Sequence, residues 1–311
     1  MSGMRGYEAL REKAGWIDLS ARGKIVVTGE DRARLLHAMT TNHVQQLEPG
    51  GGCYAFFLST QGRILGDVNI LCRDRDFLLD TEPETHAPLA AHLDHYIIAD
   101  DVTLEDITER MATIAIEGPR SAEAAAALGL VLPASPGAFG GVRDVMIANL
   151  SHTGAPGFWL IAPADAKDVL VGDLEAAGVA EADAEAARVV RIENGKPRYG
   201  EDVTGAHLPQ ETQLLQALHF SKGCYIGQEI VERVRSRGHV NRLLVRLLID
   251  AETAPARGAA IEAAGKPAGE ITSAAFSPAL GKTVALGYVR AEHARPEAAL
   301  IVAGCAAKVV R

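Results

Sequence analysis

Predicted strands and helices alternate along roughly the first 240 residues of this 311-residue chain, and only strands are predicted after them. Lys24–Thr28 is a short β-branched run, and Gly29 separates it from a helical pattern over residues 31–39. A further helix is expected to follow Ser121, which would cap it. The other predicted elements are strands at 53–58, 64–71, 77–80, 111–117, 243–249 and 284–289 and a helix at 86–96. This order predicts an α+β fold with a small C-terminal β-barrel.

The length allows more than one domain. At 311 residues and 48% hydrophobic composition, the chain can bury two or three separate cores. Breaks rich in Pro and Gly, together with the change to short strands near residue 241, predict three regions. We expect an N-terminal α+β region at 1–110, a central α+β region at 111–240 and a barrel at 241–311, and the first two are able to interleave.

Charge and cysteine content narrow the class of protein. The net charge of −9 and the pI of about 5.6 argue against stable binding to nucleic acid. The four cysteines are widely spaced without a CxxC pair, and the ten histidines show no HExxH pattern, so we expect no disulfide framework and no metal site. The absence of a leader or a long apolar run predicts a cytoplasmic protein without membrane contact.

The octapeptide KGCYIGQE at residues 222–229 carries the clearest chemical signal. It places Cys224 between the cation Lys222 and a helix predicted from Gln228 onward. A helix N-terminus and an ammonium both stabilise a thiolate, and together they move a thiol pKa from about 8.5 toward roughly 3.5–7.5. We therefore interpret Cys224 as a functional thiol and Lys222 as the cation that activates it. The alternative is a buried structural cysteine.

The octapeptide resembles the signature of the YgfZ-type folate-binding proteins. These form a branch of the glycine-cleavage T-protein (aminomethyltransferase) superfamily that is associated with assembly and repair of iron–sulfur clusters. Residues 188–200 resemble the central folate-side segment of that superfamily, and residues 269–282 resemble its C-terminal domain. The resemblance implies a ring of three modules around a central channel, with the pterin of tetrahydrofolate or a related reduced folate held in it.

The resemblance also implies which residues contact folate. Glu193 matches a glutamate that contacts the pterin, and Tyr199 matches a tyrosine beside it. Asp67 stands where the T-protein has its essential aspartate, but Gly66 replaces the acid that usually precedes it. We therefore expect Asp67 to bind folate rather than to act as a general acid.

The helix after the octapeptide supplies further candidates. Gln228 and Arg233 are assigned to the folate site, and the arginines at 233, 235 and 237 are interpreted as an anion site for a polyglutamate tail. A solvated basic segment is the simpler alternative. His239, which follows these arginines, is expected to lie near Cys224.

Three functions are compatible with these residues. The first is a tetrahydrofolate-binding factor that supports iron–sulfur enzymes or cluster carriers through Cys224. The second is an aminomethyltransferase that passes a one-carbon unit to tetrahydrofolate, disfavoured here because the acid pair is reduced to Asp67. The third is a folate sensor without chemistry, which has no need of Cys224.

Overall fold

The computed structural model describes residues 4–142, 144–238 and 240–310. The α-helices of these residues are α1 (Tyr7–Glu12), α2 (Arg32–Met39), α3 (His86–Tyr96), α4 (Ser121–Ala127), α5 (Lys167–Ala176), α6 (Ala184–Glu193) and α7 (Gln228–Arg237). The strands are β1 (Gly15–Asp18), β2 (Gly23–Thr28), β3 (Gly52–Leu58), β4 (Ile64–Cys72), β5 (Phe77–Thr81), β6 (Thr103–Asp106), β7 (Met111–Glu117), β8 (Phe139–Val142), β9 (Val145–Ala148), β10 (Gly157–Pro163), β11 (Ala180–Glu181), β12 (Arg242–Ile249), β13 (Ala260–Ala263), β14 (Lys266–Ser277), β15 (Lys282–Arg290), β16 (Leu300–Val302) and β17 (Cys305–Val310).

The first sheet has five antiparallel strands in the order β3-β4-β5-β2-β6. Leu36 of α2 and Leu89 and Leu93 of α3 pack on one face, against Ile70 and Leu79 of the central strands. Their burial removes the apolar side chains of both helices from water, which is the main force that holds helices on a sheet. The opposite face of the sheet turns toward the rest of the molecule.

The second sheet has six strands in the order β11-β1-β7-β10-β9-β8. Strand β1 comes from the N-terminal end of the chain, yet it pairs antiparallel with β7 along its whole length. The chain therefore crosses from the second sheet to the first between these strands, because β2 begins only five residues after β1 ends and belongs to the first sheet. The division of the chain at residues 110 and 240 stays a proposal.

The C-terminal strands close into a six-stranded barrel in the order β12-β15-β14-β13-β16-β17. Alternate residues such as Val245, Leu247 and Ile249 of β12 fill its interior, as the two-residue period of a strand requires. The outer side packs on α6, where Val189 and Ile192 contact the barrel cluster. The barrel is thereby fixed to the layer that also borders the two sheets.

The α+β class and the C-terminal barrel predicted from the sequence are confirmed. The prediction that Ser121 caps α4 was wrong. Ser121 is the first helical residue of α4, and its hydroxyl donates to the carbonyl oxygen of Pro156 at 3.2 Å. Throughout the described ranges, every helix is too short or too polar to cross a membrane.

Candidate functional site

A small, strongly charged cavity lies where the two sheets meet the loop that follows α6. Its volume is about 40 Å³. The lining residues are Arg22, Tyr54, Asp67, Asn69, Glu82, Ser151, His152, Trp159, Arg191, Lys196, Pro197 and Arg198. Two larger grooves, of about 560 and 700 Å³, share lining residues with it, the first through His152, Arg191 and Arg198 and the second through Pro197. The cavity thus lies between two outer grooves.

Asp67 is the acid of this cavity that has an uncommitted oxygen. The residue lies within β4 and is buried, and its Oδ2 accepts a hydrogen bond of 2.8 Å from the hydroxyl of Tyr54 on the neighbouring strand. Its Oδ1 is buried without a hydrogen-bond partner among the described residues. Burial and the nearby Glu82 carboxylate raise the pKa of Asp67 to about 6, against the lowering effect of Arg22. A carboxyl of this kind can both accept and deliver a proton near neutral pH.

The arginines of the cavity are neutralised by acids. Arg22 donates to Asp80 at 2.7–3.1 Å and to Glu82 at 2.5 Å, and all three side chains are buried. Arg198 pairs with Glu82 at 2.9 Å and with the more exposed Glu84 at 2.7 Å. Because each guanidinium keeps its planar fork on carboxylates, this network fixes the cavity wall.

His152 joins the cavity to the first groove. Its backbone N–H donates to the buried Glu117 carboxylate, which also accepts bonds from Thr153 at 2.8 Å (backbone N–H) and 2.5 Å (hydroxyl). Burial and the surrounding cations lower the pKa of His152 to about 3, so the imidazole is neutral at physiological pH. It therefore offers a neutral hydrogen-bonding group at the mouth of the cavity.

Lys196 differs from the other cations of the cavity. Its ammonium lies 5.8 Å from the centre of the Tyr54 ring. In the part of the chain that the structure describes, no hydrogen bond or ion pair involves this ammonium. Burial lowers its pKa, although the neighbouring Asp67 acts in the opposite direction.

The predicted folate contacts do not all meet at this cavity. Asp67 lines it, and Tyr199 is close enough to Asp67 that burial and this carboxylate raise the tyrosine pKa. The Tyr199 hydroxyl donates to the carbonyl oxygen of Ile64 at 3.3 Å. Tyr199 thus borders the acid without lining the cavity itself.

Glu193 does not line this cavity and has hydrogen-bond partners elsewhere. Its carboxylate accepts hydrogen bonds from the hydroxyls of Tyr7 and, at 2.5 Å, of Ser277, and it lies 3.3 Å from the guanidinium of Arg11. These partners belong to α1 and to the end of β14. The side chain therefore ties α6 to the barrel, while its Oε2 is buried without a hydrogen-bond partner among the described residues. The role of Glu193 as a pterin contact stays a prediction.

Lys222 is not an exposed loop cation beside Cys224. Its side chain is buried, and its ammonium donates to the carbonyl oxygens of His37, Thr40 and Asn42 at 2.5, 2.5 and 2.7 Å. All three of its hydrogens are therefore used at the C-terminal end of α2, where helix carbonyls need partners. The interpretation of Lys222 as the cation that activates Cys224 was wrong in this respect, because the ammonium points into the fold.

Cys224 itself is exposed, four residues before the start of α7. The predicted helix is confirmed, and Gly227 precedes it with a φ of 82°, a conformation that favours glycine. Gln228 accepts a hydrogen bond of 3.2 Å from the backbone of Tyr225, and Arg233 is exposed. Neither residue lines the cavity, so both folate assignments stay without support from its geometry.

The rest of the predicted basic segment has structural contacts where it is described. The guanidinium of Arg235 lies 4.8 Å from the centre of the Phe220 ring. The side chain of Arg237 and the whole of His239 lie outside the described residues. Within those residues, no group of three His, Cys, Asp or Glu side chains has metal-binding geometry.

Sequence reasoning missed most of the cavity. Arg22, Tyr54, His152 and Lys196 come from four separate segments, and only the pairing of the strands brings them together. One signal was present, since Lys196 and Arg198 flank Pro197 within residues 188–200, the segment that resembles the folate-side segment of the superfamily. Two cations beside a candidate ligand-binding tyrosine are unusual for a segment that enters a core.

Comparison with known proteins agrees with this architecture. Residues 4–222 match the GCVT N-terminal domain, and residues 242–311 match the glycine cleavage T-protein C-terminal barrel domain. The chain is 31% identical over 307 residues to the aminomethyltransferase of Streptomyces coelicolor, with 93% of this chain and 82% of the relative covered. It is 30% identical over 297 residues to the aminomethyltransferase of Rubrobacter xylanophilus, covering 92% and 78%.

A solved structure shows the same fold. The glycine cleavage system aminomethyltransferase T from Bartonella henselae superposes with a TM-score of 0.89 at 22% identity, over 98% of this chain and 87% of that one. The predicted T-protein-like architecture is thus confirmed along nearly the whole length. From the two domain matches and the relatives, the chain belongs to the glycine cleavage T-protein family.

Proposed function

We propose that this protein binds a reduced folate at the central cavity and that Asp67 contacts its pterin. The observation that carries the proposal is the buried, unpartnered Oδ1 of Asp67. A buried acceptor without a donor costs free energy, and the N–H groups of an aminopyrimidinone ring would supply that donor.

The cavity must widen to admit a pterin. Ligand sites usually enclose roughly 300–1,000 Å³, and this cavity encloses about 40 Å³. Arg198 is a part-exposed wall residue that pairs with the exposed Glu84 as well as with the buried Glu82. Its displacement toward water would widen the cavity and leave Glu82 paired with Arg22. Opening at Arg198 would join the cavity to the first groove.

One-carbon transfer to tetrahydrofolate is the first candidate reaction, as the names of the relatives suggest. Gly66 stands where the T-protein usually has an acid, and this difference is weaker evidence against one-carbon transfer than the sequence indicated. Neighbouring residues of a strand point to opposite faces, and a Cβ at Gly66 would lie 2.8 Å from Leu89, on the core side of β4. An acid there would point away from the cavity, so Asp67 retains its place without it.

Service to iron–sulfur enzymes is the second candidate, and Cys224 is the observation that favours it. Its thiol is exposed, whereas Cys72 is buried and Cys53 and Cys305 are partly buried. An exposed thiol in the YgfZ-like octapeptide is placed to reach a cluster carrier or a partner enzyme. A stable cluster usually needs four ligands, so Cys224 would act together with a partner.

Calorimetric titration with tetrahydrofolate tests folate binding, which both candidate functions require. We expect Asp67→Asn to weaken binding about tenfold, because the amide cannot carry the charge and presents a donor on one side. Asp250→Asn, an exposed carboxylate paired with Lys282, is the matched control and should bind like wild type. Equal affinity of wild type and Asp67→Asn would remove Asp67 from the site.

Two assays separate the candidate reactions. Formation of methylene-tetrahydrofolate and ammonia from tetrahydrofolate and an aminomethylated dihydrolipoyl carrier, abolished in Asp67→Asn, would establish the transferase. Loss of iron–sulfur enzyme activity in cells that carry only Cys224→Ala would establish the second function. Full transferase activity in Asp67→Asn would show that this reaction does not need Asp67. Full iron–sulfur enzyme activity in cells that carry only Cys224→Ala would show that the second function does not need Cys224.

A further inference from the structure

Lys24 and Lys222 are buried, and Lys196 is partly exposed on the wall of the cavity. The ammonium groups of these three lysines have different partners. Lys24 donates to the carbonyl oxygens of Ser20 and Arg22 at 2.9 and 2.7 Å. Lys222 donates to three carbonyl oxygens at 2.5–2.7 Å. Lys196 has no such bond among the described residues, and its ammonium lies 5.8 Å from the centre of the Tyr54 ring. Of these three lysines, Lys196 is the one whose ammonium has no hydrogen bond within the described residues.

The surroundings of Lys196 suit amine chemistry. The ring of Tyr54 lies 5.8 Å from the ammonium, and the hydroxyl of the same tyrosine is bonded to Asp67 at 2.8 Å. The amine and an acid that titrates near neutral pH thus border one cavity. A lysine in a desolvated pocket is the usual form of a nucleophilic amine, because burial favours the neutral nitrogen.

The size of the cavity limits the partner molecule. One water needs roughly 10–15 Å³ of enclosed space, and the cavity offers about 40 Å³. A carbonyl compound of two heavy atoms fits this volume without the widening that a pterin needs.

We propose that Lys196 condenses reversibly with formaldehyde, with Asp67 as the proton donor. The amine nitrogen attacks the carbonyl carbon, the carbon–oxygen π bond breaks, and the oxygen takes up the proton that the nitrogen loses. Asp67 then protonates the hydroxyl, which leaves as water while the nitrogen forms a double bond to carbon. The carboxylate recovers its proton from the iminium nitrogen, and the balance is Lys–NH₂ + CH₂O → Lys–N=CH₂ + H₂O.

The proposal rests on the proposed folate function for the identity of the carbon unit, since methylene-tetrahydrofolate carries carbon at the oxidation level of formaldehyde. A lysine that holds this unit would keep it inside the cavity when the folate releases it. The labelling reaction itself needs no folate, so the two proposals fail in different ways.

Reductive trapping tests the inference on the wild-type protein. The protein is treated at pH 7 with limiting formaldehyde and cyanoborohydride, and methylation of each lysine is followed by peptide mass mapping over time. We expect Lys196 to be methylated at least as fast as the exposed Lys266 and at least tenfold faster than Lys24 and Lys222.

Lys24 and Lys222 are matched controls, because burial also lowers their pKa values, to about 8 and about 7. A difference from Lys196 then reports the free amine and not the titration. Asp67→Asn should slow labelling of Lys196 several-fold and leave Lys266 unchanged.

Labelling of Lys196 as slow as that of Lys24 and Lys222, or only in urea, would overturn the inference. Protection of Lys196 by added tetrahydrofolate would support occupation of the same cavity by folate. Fast labelling without protection would count against the folate site and leave the reactive lysine in place.

Discussion

The buried Asp67 carboxyl makes the folded protein less stable when it is ionised than when it is protonated. Its pKa in the fold is about 6, above the ordinary value of 3.8, so the folded state holds the proton more tightly than the unfolded chain. The resulting stabilisation is complete below about pH 4 and is lost as the pH rises through about 6. Asp67 thus lowers the stability of the folded protein above about pH 6, where its ionised carboxylate would bind a ligand.

Substitution of Asp67 by Asn should therefore stabilise the protein at pH 8. The amide resembles the neutral acid in shape, and one pKa unit corresponds to about 1.4 kcal/mol, so we expect a gain of about 1–3 kcal/mol in the free energy of unfolding. The gain should disappear at pH 4. Urea unfolding at both pH values measures it, with Asp250→Asn as the control, and a gain of equal size at pH 4 would contradict the role of ionisation.

Cys224 should be the first of the four thiols to react with an alkylating reagent. It is exposed, whereas burial raises the pKa of Cys53 to about 12 and also raises the pKa of Cys72. Since the thiolate is the reactive form, the buried thiols react slowly. Alkylation at several pH values followed by peptide mapping checks the order. Labelling of Cys224 no earlier than Cys53 would favour a structural cysteine.

The difference between Asp67 and Glu193 shows how far the sequence predicts single residues. The family resemblance pointed to Asp67, and the two-residue period of the strand explains why Asp67 faces the cavity while Gly66 faces the core. Glu193 lies on α6, which packs both on the two sheets and on the barrel. The amphipathic pattern of this helix does not tell which of its sides holds a ligand. Tyr54 and Lys196 depend on strand order, which single-sequence patterns do not contain.

At the scale of one element, α2 depends on a lysine that is distant in sequence. The ammonium of Lys222 accounts for two carbonyl groups at the end of α2 and for the carbonyl of Asn42 just beyond it. A cation at a helix C-terminus also interacts favourably with the helix dipole. The octapeptide is therefore fixed to the first sheet through this side chain, and the position of Cys224 follows from it.

Lys222→Met should lower the free energy of unfolding by about 2–4 kcal/mol, because it leaves buried carbonyl groups without donors. Lys282→Met, which removes an exposed ion pair with Asp250, should change it by less than about 0.5 kcal/mol. Urea unfolding compares the two variants. If Lys222→Met is as stable as wild type and instead slows alkylation of Cys224, the lysine acts on the thiol after all.

At the scale of the whole molecule, Asp202 connects the barrel, α6 and the loop that carries Arg198. It is fully buried, and its Oδ1 accepts hydrogen bonds of 2.6 Å from the hydroxyls of both Thr272 and Ser273 on β14. Its Oδ2 accepts from Arg191 of α6 at 2.6 Å and from the backbone of Arg198 at 3.1 Å. One carboxylate thus holds the barrel, α6 and the cavity loop in register.

Asp202→Ala should therefore loosen the barrel and distort the cavity together. Removal of one partner of a buried ion pair costs about 3–5 kcal/mol, since the guanidinium of Arg191 and two hydroxyls lose their acceptor. Ser273→Ala removes a single hydrogen bond from the same carboxylate and should cost only about 1 kcal/mol. Urea unfolding gives both values, and tetrahydrofolate titration should show weaker binding for Asp202→Ala alone, because its bond to Arg198 positions the cavity wall. A loss below about 1 kcal/mol in Asp202→Ala would mean that apolar packing of α6 on the barrel is sufficient to hold the layers together.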